Sequence, residues 1–271
     1  MDTTLETFEH GGLTVRIGWE DDSSPFNPRE HENLAALVCW HPNYVLGDEQ
    51  LQGGAVETAF ATATGRQDFA SMEVLERYLR TALGAVCVLP LYLLDHSGLS
   101  LSAGTNYVGR GDTASGGRDS WGNARGWDTS MVGFAYALPE RIRELCGEPQ
   151  LPTDPVYCPR LWPEDGRAGR NWPADRSALE WIEQQVRSEV SVYGAYLSGE
   201  VYWYAVEDER GEVLDSCGGF LGGGLDEQGR ELDPLEWVRQ EAREAAEFHR
   251  DHAAKTRAEG FTAMANGGRS L

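Results

Sequence analysis

The nine residues from Val86 to Leu94 constrain the fold more than any other segment of this chain. They are apolar at successive positions, so no period of two or 3.6 residues divides them into a wet and a dry face, and they are too few to cross a bilayer as a helix. The run reads as an interior strand, apolar on both faces. It stops at Asp95-His96-Ser97-Gly98, and beyond that point Leu99, Leu101 and Ala103 alternate with Ser100 and Ser102, the pattern of a half-buried strand. A hairpin turning at residues 95–98 follows, and the rest of the chain must supply helices to cover the sheet.

Three helices are legible. Met72, Leu75, Tyr78, Leu79, Ala82 and Leu83 recur at helical spacing and predict a helix over 71–85, with Ser71 as N-cap and Gly84 near its end. Ser177-Ala178-Leu179-Glu180 is a capping box. Behind it Leu179, Ile182, Val186, Val190, Tyr193 and Leu197 form one stripe, which predicts a helix over 177–198 closed by Gly199. Asp233-Pro234-Leu235-Glu236 opens a charged helix running to about residue 259, with Leu235, Val238, Ala242, Ala245 and Phe248 as its apolar side. The last ten residues are expected to fray. A shorter helix begins at Pro139 and ends before Gly147.

Residues 13–17 and 131–138 read as strands, and 201–206 with 213–215 form a hairpin around Asp208-Glu209-Arg210-Gly211. Residues 33–40 fit either a buried strand or a helical turn. Seven glycines in 104–126 and six prolines in 148–174 mark exposed insertions, and Gly218 to Gly224 is a further glycine-rich stretch. The expectation is an α+β fold, a mixed, largely antiparallel sheet covered by several helices, in a single principal domain spanning 1–271.

Charge narrows the function classes. Against 44 Asp and Glu there are 23 Lys and Arg, a net charge of −21. Such a surface repels phosphate backbones, so direct nucleic-acid binding is not expected. It either keeps the protein soluble or imitates the phosphate array that a nucleic-acid-handling protein expects. No apolar stretch approaches the roughly 20 residues of a membrane helix, and Met1-Asp2-Thr3-Thr4 starts no secretory leader, so the expected location is cytoplasmic with no membrane association. Cys39, Cys87, Cys146, Cys158 and Cys217 are odd in number and form no C-x-x-C pair, which points to reduced thiols, with neither a disulfide framework nor a zinc ribbon.

The candidate polar site consists of His41, Asp48, Asp95, His96, Ser97, Trp127 and Asp128. An imidazole flanked by a carboxylate and a hydroxyl at a strand end can act as a general base or metal ligand, or Asp95 and Ser97 can simply satisfy turn amides. Cys39-Trp40-His41 with Asp48-Glu49 matches no zinc spacing, and His249 with His252 lacks the Glu of a metalloprotease helix, so no metal is expected. Neither a phosphate-binding glycine loop nor a G-x-S-x-G elbow is present, so no cofactor is expected. If the strands ending at Asp95 and beginning near Asp128 pair, His96 and Asp128 share one cleft.

The blocks Arg29 to Leu34, Cys39-Trp40-His41-Pro42-Asn43-Tyr44-Val45-Leu46-Gly47-Asp48, Asp95-His96-Ser97-Gly98, Trp127-Asp128-Thr129-Ser130-Met131-Val132-Gly133 and Asp215-Ser216-Cys217-Gly218-Gly219-Phe220 together resemble a family of uncharacterised proteins of phages, plasmids and integrated mobile elements. The resemblance runs from about residue 13 to 224. Ala35 stands where that family's pattern has Gly, and Ser130-Met131 where it has Gly-Gln. The family has no established activity, so the resemblance implies a mobile-element accessory protein and no catalytic residues. Two functions remain: an acidic accessory protein that binds a host protein, inhibiting a nucleic-acid-handling defence system by phosphate mimicry, or a small hydrolase or ligand-binding enzyme with its pocket around Asp95, His96 and Asp128.

Overall fold

The computed structural model describes residues 3–41, 43–50, 72–95, 98–104, 116–118, 124–125, 129–146, 176–226, 230 and 232–267. The chain divides into two compact units: a central one, Asn27–Ser198 with Gly223–Leu232, and a terminal one, Met1–Phe26, Gly199–Gly222 and Asp233–Leu271. The sequence pattern reads as one principal domain; each unit has its own sheet and its own core. Both contribute to the expected α+β class, and the sheets are antiparallel apart from one parallel pair.

The terminal unit's sheet begins with β1 (Thr4–His10) and β2 (Leu13–Trp19), and ends with β10 (Val201–Glu207) and β11 (Val213–Leu221), in the order β1-β2-β10-β11. Between them the chain forms β3 (Ala36–Cys39), β4 (Glu49–Gln50), helix α1 (Met72–Thr81), β5 (Cys87–Asp95), β6 (Leu99–Ala103), a separate pair β7 (Gly116–Arg118) and β8 (Ala124–Arg125), then β9 (Thr129–Ala137), α2 (Pro139–Cys146) and α3 (Arg176–Leu197). The central sheet has the order β4-β3-β9-β5-β6, with only β3 and β4 parallel. The final helix, α4, spans Pro234–Gly267 and so includes part of the stretch expected to fray.

The central sheet is covered on both faces, as the apolar run requires. Cys87, Leu89, Leu91 and Leu93 of β5 pack with Ile182, Val186 and Val190 of α3, whereas Val88 packs with Leu75 and Leu79 of α1 and with Phe134 and Tyr136 of β9. Pro90 is tolerated inside β5 because β6 ends at Ala103, opposite Leu91; the carbonyl of Pro90 accepts from the Gly104 amide on that side, where no ladder amide is needed. Helix α1 stops at Thr81, short of the expected 85. Its last turn closes through the Leu83 and Ala85 amides onto the Tyr78 and Leu79 carbonyls, with Gly84 at φ +69°. Within residues 33–40, Ala36–Cys39 form strand β3, and the hairpin between β5 and β6 pairs Asp95 with Leu99 as expected.

In the terminal unit α4 lies on one face of the sheet. Val238, Ala242 and Ala246 recur every four residues and are fully buried against Val15, Ile17, Tyr202, Tyr204 and Val206. Phe248, expected on that apolar side, is 66% exposed and stacks on His252, because the stripe passes through 246 and the helix has turned away by 248. Strand β11 also runs further than 213–215, through Gly218 and Gly219 to Leu221. Those glycines do not make a loop: a Cβ on Gly218 would meet the Glu20 carboxylate, and one on Gly219 the ring of Phe26.

Candidate functional site

The polar groups of the central unit gather first around Arg29. Pro28 and Arg29 open a short 3₁₀ turn capped by the Asn27 side chain, which aims the guanidinium inward. Its Nε and Nη2 grip both oxygens of Asp48 at 3.0 and 2.6 Å, and Nη2 also donates to the Ala35 carbonyl at 2.7 Å. Asp48 accepts from the Leu37 amide at 2.8 Å, while Glu189 of α3 accepts from the Leu34 and Ala35 amides at 2.7 and 2.9 Å. Two carboxylates and one guanidinium thus hold the chain entering β3. The Arg29 side chain is only 9% exposed, and its Nη1 is buried without a hydrogen-bond partner among the described residues.

Burial raises the pKa of Glu189, opposed by the hydrogen bonds from Ala35 and Leu34 and by the Arg29 and Arg141 charges. Burial also pushes the Cys39 thiol up to about 12, with the charge of Asp48 adding to it. Cys87 is likewise pushed to about 12, chiefly by burial. Neither thiol is a thiolate near neutral pH, so neither is a nucleophile. Cys39, Cys87 and Cys217 are free cysteines.

Of the seven candidate residues, His96, Ser97, Trp127 and Asp128 lie outside the described residues, and so does the expected cleft between His96 and Asp128. The strands that lead to them do pair, with Leu94 opposite Thr129. Asp48 is committed to Arg29 and Leu37, which gives it a structural task. His41 and Asp95 are brought together through Tyr44: the His41 and Tyr44 rings stack at 4.8 Å, and the Tyr44 hydroxyl donates to Asp95 at 3.4 Å. His41 Nδ1 accepts from the Asn43 amide at 3.2 Å, which places the proton of the neutral ring on Nε2. The Asp95 charge, followed by its hydrogen bond, raises the Tyr44 pKa, so the phenol stays protonated and can donate. Tyr44, Arg29 and Glu189 were not among the expected site residues, although Tyr44 and Arg29 lie inside the quoted blocks.

Several quoted blocks owe their residues to packing. A Cβ on Gly133 would collide with the Val38 carbonyl oxygen and sit 2.9 Å from Cys39 Sγ, so the close approach of β9 to β3 needs glycine. Gly218 and Gly219 make room for Glu20 and Phe26, and Glu20 accepts from the Gly219 amide at 3.1 Å.

The terminal unit distributes charge unevenly. Residues 1–26 and 199–222 hold twelve Asp and Glu against two Arg, whereas the 34 residues of α4 hold six against five Lys and Arg. The acidic excess therefore belongs to the sheet and its turns. Toward α4 it is partly answered: Arg239 bonds Glu6 at 2.9 Å and His249 bonds Asp215 at 3.3 Å. At the ends of the sheet it accumulates. Asp208, Glu209 and Glu212 lie at the turn between β10 and β11, with Glu209 and Glu212 exposed. At the other end Glu20, Asp21 and Asp22 follow β2, and Glu200 precedes β10, beside them through the Glu20 amide bonded to Val201. Hydrogen bonds from Ser24 lower the pKa of Asp22, and the Glu212 and Arg210 amides lower that of Asp208, so both stay ionised. Among the described residues no group of three or more His, Cys, Asp or Glu could hold a metal ion, and no helix is long and apolar enough to cross a membrane. No family model, curated protein or solved structure matches the chain.

Proposed function

We propose that this chain is a non-enzymatic accessory protein of a mobile element that binds a host protein through the acidic ends of its terminal sheet. The partner is a nucleic-acid-handling protein of host defence, and the carboxylates meet cations that otherwise neutralise phosphates. The observation that carries this reading is the ratio of twelve acidic to two basic residues in 1–26 and 199–222, set against a nearly neutral α4. The commitment of Asp48 to Arg29 and Leu37 supports it from the other side, since it takes one carboxylate away from the rival polar pocket.

The test is affinity capture from the natural host, followed by mass spectrometry, with the native chain and a variant carrying Asp21→Lys, Asp22→Lys, Glu209→Lys and Glu212→Lys. The native chain is expected to recover a partner that duplex DNA displaces and that raised salt releases, and the variant to lose it. Recovery of the same partner by the variant, or indifference of that partner to DNA, overturns the reading. So does a shift of duplex DNA by the purified chain itself.

A further inference from the structure

Strand β11 is an outer strand of the terminal sheet and is poorly covered. Val213, Leu214, Ser216, Cys217 and Gly218 are all exposed and Asp215 is half-buried; the large side chains of Val213 and Leu214 are 56% and 39% exposed. The stretch has no Pro and no Lys, and its register irregularities fall at Leu214, between Val213 and Asp215, and at Gly219, between Gly218 and Phe220, which leaves Asp215 to Gly218 in regular register. At Gly219 the edge closes, because its amide is taken by Glu20 and Phe26 packs over it. The four residues in regular register, Asp215 to Gly218, span about 13 Å, the length of a short strand.

The opposite edge differs. Strand β1 carries Glu6 and Glu9, has an irregular register at its start, and is tied inward by Arg16 bonding Thr4 at 2.7 Å. Its two carboxylates and the tie from Arg16 discourage pairing with another chain.

We propose that β11 accepts an extended, basic segment of the partner as a fifth strand. This deepens the function proposed above and rests on it. Charge selects the occupant: Asp208, Glu209 and Glu212 outnumber Arg210 at the entry to β11, Asp215, bonded to His249, lies within it, and Glu20 stands beside its far end. A second copy of this chain would bring two strongly acidic sheets edge to edge, which like charges oppose. An Arg-rich segment instead meets opposite charge while its backbone amides and carbonyls satisfy those along the open edge, as in strand addition.

The test uses three labelled ten-residue peptides: alternating Arg-Val, the same peptide N-methylated at alternate residues, and alternating Thr-Val. Binding is followed by fluorescence anisotropy, and amide hydrogen exchange is followed along β11. The Arg-Val peptide is expected to bind at least about tenfold more tightly than either counterpart and to slow exchange between Val213 and Gly218. A Ser216→Pro variant, confirmed folded by circular dichroism, is expected to lose that advantage. If the N-methylated peptide binds as well as the parent, strand addition is wrong while the acidic reading stands. If the Thr-Val peptide binds as well, the failure lies in the acidic reading. Slow exchange along β11 that appears without peptide as protein concentration rises makes a second copy the occupant and overturns the proposal.

Discussion

The two sheets of this chain are built from similar antiparallel strands and differ in how many faces are covered. In the central unit helices lie on both faces of β5, its residues are apolar at nearly every position, and the charges nearby point inward to hold backbone. In the terminal unit α4 packs on one face of the sheet, and the strands alternate. There Arg16 and Glu207 pair across the face away from α4, and carboxylates outnumber cations at the ends. The number of covered faces thus decides what a carboxylate is for. Asp48 and Glu189 organise a chain segment, whereas Glu209 and Glu212 are exposed at a turn.

The sharpest way to break this comparison is to remove one cation from each sheet. Arg29→Ala removes a side chain that is only 9% exposed, together with its bonds to Asp48 and Ala35, and is expected to cost about 2–3 kcal/mol in chemical denaturation. Arg16→Ala removes a cation that is 36% exposed and is expected to cost about 1 kcal/mol or less. Equal losses would mean that burial is not what separates the two pairs.

Glycine offers a second, smaller contrast. Gly133→Ala sets a methyl group against the Val38 carbonyl oxygen, a backbone atom that cannot step aside, and is expected to cost roughly 1–3 kcal/mol. At Gly218 the obstacle is the end of the flexible Glu20 side chain, so Gly218→Ala is expected to cost less. Thermal unfolding of both variants checks the order, and the reverse order would show that the Glu20 contact is the more rigid one.

The smallest effect is a slope in pH. Burial raises the pKa of Glu189 above its ordinary 4.5, so the folded chain binds more protons than the unfolded chain just above that pH. The contribution of Glu189 to stability is therefore full below about 4.5 and declines as pH rises through the folded pKa. Relative to Glu189→Gln, the native chain should lose stability as pH rises from that value. A difference that stays level with pH, or grows, would mean that the hydrogen bonds from Leu34 and Ala35 outweigh burial.

Much of the fold was legible because covered faces leave periodic marks. The dry run of β5 and the stripe of Ile182, Val186 and Val190 announced a strand between layers and a helix upon it. Strand β1 left no such mark: in Thr4–His10 the positions facing α4 include Glu6 and His10, which are satisfied by Arg239 and Glu247, more than 230 residues away. Phe248 misled because a large apolar residue near the helical stripe need not lie on it. The site was less legible for the same reason of distance. The blocks contained Arg29, yet the role of its carboxylates depends on Asp48, nineteen residues on, and on Glu189 in α3. Tyr44 joins His41 to Asp95 across 51 residues, which no local spacing can reveal.

The terminal sheet has a further consequence for how the chain comes together during synthesis. Its strands β1 and β2 emerge first, but β2 must wait for β10, whose residues pair with it as Tyr202 to Trp19 and Val206 to Val15. Until then an orphan two-stranded ribbon stands alone, and such ribbons are marginal in water. The segment that interrupts the sheet contains nearly all of the central unit, so that unit can collapse while the ribbon is still unpaired. A fragment ending at residue 198 would therefore hold the strands and helices of the central core and one waiting half-sheet, its closing entropy still unspent. Arrival of β10, β11 and α4 then completes the sheet at a late step.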